Sequence, residues 1–236
     1  MKIRSRVDRP TRRGARSGAR ADADSTAPGQ GALRALQSQI GACTLCPSMK
    51  PWRQFRPEAY GDRSTGYLLV GEAPGHVSLM KGRRFTGPAG MLIRRALQSV
   101  GDPRYRDLED LFYMTDVVKC HPAPAANPAS NRSPRKTEVQ ACSGYLLREI
   151  QVLQPSVIVA FGKTAVEQVV RAVERAAPLA PELIAFPHPS PRNQVTIRKQ
   201  YRSMTALEKA ISVAFRKLIS GLSRGAASPL TPHALR

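Results

Sequence analysis

Residues 67–97 place the strongest constraint on the fold. The run YLLV at 67–70 lies between Gly66 and Gly71, the pattern of a short buried strand. The chain then breaks into a loop carrying Gly71, Pro74, Gly75, Gly82 and Gly87. Pro88 stands at a first helical position, and Met91, Leu92, Ile93, Ala96 and Leu97 mark an apolar helical face. A strand that runs through a glycine-rich loop into a helix builds a ligand site at the carboxyl end of that strand in an open α/β sheet. Glycines let a ligand approach the backbone, and a helix start offers free N–H groups to an anion. The loop has neither the Gly-Lys-Ser/Thr ending of a P-loop nor GxGxxG spacing. Taken alone, this stretch fits a nucleotide-binding loop or a plain turn.

The remaining chain repeats the alternation of strand and helix. A helix is expected over 31–40, with Leu33, Leu36 and Ile40 on one face, followed by loop over 48–65. FYMTDVV at 112–118 reads as a second strand, preceded by a helical turn at 107–111, and residues 121–134 read as irregular loop. Helices are expected over 137–153 and 162–173 and strands at 157–161 and 183–186. A basic segment, 192–202, leads to a last helix over 205–222. This order predicts an α/β three-layer sandwich: a central four-stranded parallel sheet flanked by helices. Three distinctive segments, beginning at Gly71, Asp116 and His188, then meet at the carboxyl edge of the sheet, where ligands bind.

Lys and Arg number 37 against 17 Asp and Glu, a net charge of +20. Such an excess points to a polyanionic partner, nucleic acid before an anionic membrane surface. Residues 1–30 read as a disordered basic arm that adds non-specific attraction to phosphates, 31–222 as the folded domain, and 223–236 as a flexible tail. No apolar run is long enough for a membrane helix and no secretory leader is seen, so a cytoplasmic, nucleoid-associated, monomeric protein is expected. The chain has four cysteines: Cys43 and Cys46 in a C-x2-C pair, Cys120 after the second strand, and Cys142 in the next helix. Four thiolates suit a structural zinc or a four-iron cluster. Spacing does not separate the two metals, and disulfides or free core thiols are the alternatives.

Together the motifs resemble the uracil-DNA glycosylase superfamily, and within it the iron–sulfur branch called family 4. They are GEAPG at 71–75, GRRFTGPAG at 82–90, TDVVKC at 115–120, NRSPRKTEVQAC at 131–142, PSVIVAFGKTA at 155–165 and HPS at 188–190. The ordered set spans residues 31–220. HPSPRN at 188–193 also resembles the single-strand-selective branch. The resemblance implies a structural [4Fe–4S] cluster on Cys43, Cys46, Cys120 and Cys142. It also implies monofunctional excision of a deaminated base, uracil first, from single- or double-stranded DNA. The target base must leave the stack and enter a pocket. By the same resemblance Phe85 is the floor under the flipped base, and His188 donates to the base carbonyl as negative charge develops. Gly71, Glu72 and Ala73 line the pocket. Pro74, Gly75, Gly87 and Ser190 approach the DNA backbone, and Arg192, Arg198 and Lys199 reach phosphates.

Two positions depart from the family pattern. Asp116 stands where the strand-end motif usually has Asn. An amide both accepts from uracil N3–H and donates to O4, whereas an ionised Asp only accepts. Three options stay open: a uracil enzyme using a protonated Asp116, a different base preference, or a module of this fold that binds damaged or single-stranded DNA with little excision. Second, residues 76–80 are HVSLM where this branch carries an acidic cluster. Glu72 is then the nearest carboxylate for orienting water, and Asp116 is a second candidate.

Overall fold

The computed structural model describes residues 29–46, 49, 55 and 57–225. The basic arm expected over 1–30 therefore falls outside the described residues, save for the turn at Gly29 and the helix start at Gln30. So does most of the expected tail.

Four strands, β1 (Tyr67–Gly71), β2 (Tyr113–Asp116), β3 (Val157–Phe161) and β4 (Glu182–Phe186), form one sheet in the order β2-β1-β3-β4. All pairings are parallel, with Gly71 in register with Asp116, and Phe161 with Phe186. Parallel strands need crossovers, and helices supply them. Among the described residues these are α1 (Gln30–Ala42), α2 (His76–Met80), α3 (Pro88–Gln98), α4 (Leu108–Leu111), α5 (Lys136–Leu153), α6 (Lys163–Arg175), α7 (Gln194–Tyr201) and α8 (Met204–Gly225).

The period-two alternation of a strand splits the core into two layers. Leu69, Met114, Val159 and Phe161 face one way, against α3, α4, α7 and α8. Leu68, Val70, Tyr113, Ile158 and Ala160 face the other, against α1, α5 and α6. This is the expected three-layer sandwich. None of the described helices is long and apolar enough to cross a membrane.

The structure corrects several boundaries. The second strand stops at Asp116 rather than Val118. The reason is a buried knot: Lys119 Nζ donates to the Asp116 carbonyl (2.5 Å), Thr115 Oγ1 (2.8 Å) and Glu149 Oε2 (2.5 Å). An ammonium drawn under the strand end bends the chain there. Residues 76–80 and 194–201, expected as loop and basic segment, contain helices α2 and α7. The last helix continues to Gly225, into the expected tail.

Candidate active site

A cavity of ≈ 510 Å³ opens at the carboxyl ends of β1, β2 and β4. The parallel topology brings the three distinctive segments to this one edge. Gly71, Glu72, Ala73, Phe85, Asp116 and His188 all line the cavity, and Pro74, Gly75, Gly87, Ser190 and Arg192 do so as well. Arg198 and Lys199 are exposed in the last turn of α7 and do not line it.

Phe85 owes its position to an unusual backbone. Its φ is 54°, the left-handed region that non-glycine residues seldom enter, a strain that persists only where surroundings over-determine it. Here the surroundings do so. Buried Arg94 of α3 donates from Nε to the Phe85 carbonyl (2.9 Å) and from Nη2 to the Arg84 carbonyl (2.6 Å). Gly90 lets the start of α3 pack directly on the Phe85 backbone, where a Cβ would collide. Arg94 is in turn held by Glu109 (2.7 and 2.8 Å) and by Asp107, which also caps α4. Arg83 joins the same two carboxylates.

Asp116 sits in register with Gly71, and a Cβ at Gly71 would lie 2.5 Å from Asp116 Oδ1 and 3.2 Å from the Phe85 ring. The missing side chain therefore opens the space between the Phe85 ring and the carboxylate. The Asp116 side chain is 6% exposed and pairs through Oδ2 with Nη1 of Arg84, which is 1% exposed. Burial pushes the Asp116 carboxyl up, against the pull of Arg84 and Lys119. For Arg84, burial works against the charge most strongly, but Asp116, Tyr60, Glu149 and Tyr113 together overcome it and hold the guanidinium above its ordinary value. The Arg84 guanidinium lies over two rings, 4.3 Å from Phe55 and 4.5 Å from Tyr60.

His188 leaves β4 on the opposite wall. Gly162, at φ +95°, passes close to it, and a Cβ there would be 3.2 Å from the His188 Cβ. Ser190 N (2.9 Å) and Asn193 Nδ2 (3.1 Å) donate to the His188 carbonyl and shape the turn. Burial lowers the His188 imidazole below its ordinary value, and Glu72 opposes this in part. The ring is therefore neutral at neutral pH, with one N–H to donate. Glu72 Oε1 accepts from Thr164 Oγ1 at 2.7 Å, which fixes the carboxylate at the start of α6. His121, buried after β2, donates from Nδ1 to the Pro74 carbonyl at 2.8 Å and steadies the loop after β1. Asn131 Oδ1 accepts from the His76 backbone (2.9 Å), and its carbonyl accepts from Arg192 (3.0 Å). The rim is thus stitched from three separate loops.

Sequence reasoning missed Arg84 and Arg94. Both lie in a segment rich in Arg, where a solvated cation is the ordinary expectation. Two carboxylates in the capping turn at 107–110 were the available signal for Arg94.

No disulfide joins Cys43, Cys46, Cys120 or Cys142. A hydrogen bond with Cys43 pushes the Tyr145 hydroxyl up to about 12, and Cys142 adds to it. Burial pushes the Cys46 thiol up, followed by the influence of Cys142 and, more weakly, Cys43. Burial also raises Cys142, whose sulfur takes a hydrogen bond from the backbone of Lys119, beside Cys120. The thiols thus converge where α1, α5 and the end of β2 meet. Among the described residues, however, no three Cys, His, Asp or Glu side chains stand close enough to hold a metal ion.

The fold and site define an α/β protein with a cleft at the carboxyl edge of a parallel sheet, lined by an aromatic ring, two carboxylates and an imidazole. Residues 58–211 match the model of the uracil DNA glycosylase superfamily, and the chain belongs to that superfamily. It is 36% identical over 145 residues to a type-4 uracil-DNA glycosylase of Pyrobaculum aerophilum, covering 61% of this chain and 68% of that one. It is likewise 36% identical over 129 residues to the type-4 enzyme of Archaeoglobus fulgidus, covering 55% and 59%. A type-5 uracil-DNA glycosylase of Thermus thermophilus is 33% identical over 159 residues, covering 56% and 69%.

Proposed function

We propose that the protein is a monofunctional DNA glycosylase. It flips a deaminated base, uracil first, out of DNA into the cleft and hydrolyses its N-glycosidic bond. The observation that carries this reading is the single cavity in which Phe85, Asp116, Glu72 and His188 converge. The extruded base stacks on Phe85. His188, neutral and rigidly placed, donates to the base carbonyl as the leaving base gains negative charge. Glu72, anchored by Thr164, orients water toward the sugar carbon as the bond breaks. Gly71 and Ala73 line the base edge with backbone. Pro74, Gly75, Gly87 and Ser190 let the DNA backbone approach closely. Arg192 reaches phosphates at the rim, and Arg198 and Lys199 do so from α7, consistent with a chain charge of +20.

Four cysteines outside any disulfide, on converging elements, are a donor set that fits iron–sulfur chemistry. Cys43, Cys46, Cys120 and Cys142 would hold a [4Fe–4S] cluster that ties the end of α1 to α5 and β2 and takes no part in bond cleavage. Protein purified without air is expected to be brown, with absorbance near 400 nm that Cys142→Ser removes. A colourless, zinc-loaded preparation would reject the cluster.

The reading is tested by base release from matched oligonucleotides, single- and double-stranded, containing uracil, hypoxanthine, xanthine or cytosine. Release of uracil is expected. A second reading, a module that binds damaged DNA without cutting, is favoured by the Asp116 carboxylate at a position that suits an amide. Tight binding of the uracil oligonucleotide with no base released would select it.

A further inference from the structure

A buried carboxylate at the base-reading position sets a chemical problem. Uracil presents a donor, N3–H, beside an acceptor, O4, and a lone carboxylate meets only the first. The structure places a second residue in the same cavity. Arg84 lines it together with Phe85, Asp116 and His188. Its Nη1 holds Asp116 Oδ2. The other Asp116 oxygen, Oδ1, lies at the gap beside Gly71, and the buried Arg84 Nε has no hydrogen-bond partner among the described residues. Phe55 and Tyr60 stack on the guanidinium and set its plane. Burying either charge alone costs several kcal/mol, so each of the two side chains depends on the other for its place in the interior.

We propose that Asp116 and Arg84 together read the imide edge of the base, Asp116 Oδ1 accepting from N3–H and the Arg84 guanidinium donating to O4. The inference rests on the glycosylase reading above and names the groups that select the base. One side-chain amide is replaced by an acceptor at the end of β2 and a donor in the turn before α3. The guanidinium is always charged, so the pair presents both functions with no proton on Asp116. Cytosine is rejected at both atoms, because its N3 faces a carboxylate and its amine faces a cation.

The test compares full-length wild type with Arg84→Met, Arg84→Lys, Asp116→Asn and the double variant Arg84→Met/Asp116→Asn. The readout is uracil release from a single-stranded oligonucleotide, beside a matched one carrying 4-thiouracil. Each single neutralising change leaves a buried charge facing the base, and a loss of about 10²-fold or more is expected. The double variant, with an amide and no stranded charge, should recover to within about 10-fold of wild type, a strong coupling between neighbours. Arg84→Lys keeps a cation against Asp116, and so the fold, but lacks the planar fork. It should lose uracil release and much of the wild type's preference for uracil over 4-thiouracil, a ratio that cancels leaving-group differences. Uracil release within about threefold of wild type in Arg84→Lys and Arg84→Met would overturn the pair while leaving the glycosylase reading intact. Absence of uracil release by wild type would overturn both.

Discussion

His188→Ala is expected to lower single-turnover uracil release by about 10²–10³-fold, the scale for removing one donor to a developing anion. Affinity for the substrate oligonucleotide should change little, because the ground-state carbonyl gains far less from that donor than the leaving anion does. The effect is expected to be large because the backbone that carries the imidazole is fixed. Its carbonyl is bound by Ser190 N and Asn193 Nδ2, and Gly162 packs against its Cβ. Burial disfavours the charged ring, which leaves one N–H available to donate. Single-turnover kinetics beside a binding isotherm check both halves. Full activity in the variant would remove His188 from the mechanism.

Arg94→Met is expected to cost about 3–5 kcal/mol of stability, the range for breaking a buried ion pair by removing one partner. Arg94 is 2% exposed and serves the carbonyls of Arg84 and Phe85 and the carboxylates of Asp107 and Glu109. Its loss strands the two carbonyls, leaves Asp107 and Glu109 to Arg83, and releases the left-handed turn at Phe85. Chemical denaturation measures the stability, and base release should fall with it even where the variant remains folded. The same network carries an acid dependence. Burial works to raise Glu109, but hydrogen bonds from Arg94 and Arg83 overcome it and hold the carboxyl down at about 2. A depressed carboxyl contributes stability that is fully present above its unfolded value of about 4.5 and is lost as pH falls toward 2. Wild type should therefore lose stability over that window more steeply than Arg94→Met. Equal slopes would show that the network does not hold the loop.

Much of this molecule was legible in one dimension. The apolar runs at 67–70 and 157–161 are buried strands because a parallel sheet covered on both faces needs continuous hydrophobic residues. Strand–helix alternation dictated the parallel order, and the parallel order carried Gly71, Asp116 and His188 to one edge. Pro88 opens α3 as its fixed φ predicts. Glycines and histidines at strand ends could be recognised because their roles follow from local backbone geometry and position on the sheet.

Other features depended on what folding brought close. Nothing in the local pattern of KGRRF distinguishes the exposed Arg83 from the buried Arg84. Arg84 is buried because Asp116, 32 residues away, neutralises it and two rings cover it. The early end of β2 was hidden for the same reason, since it depends on Glu149 in α5 reaching Lys119 across 30 residues. Helix α7 was missed because its stabilising contact is tertiary: a single buried side chain, Ile197, docks an otherwise polar segment. Local propensity and periodicity determine which elements form and where a parallel sheet exposes its functional edge. The charges that enter the interior are decided by which partners meet there, because only a paired ion offsets its own desolvation.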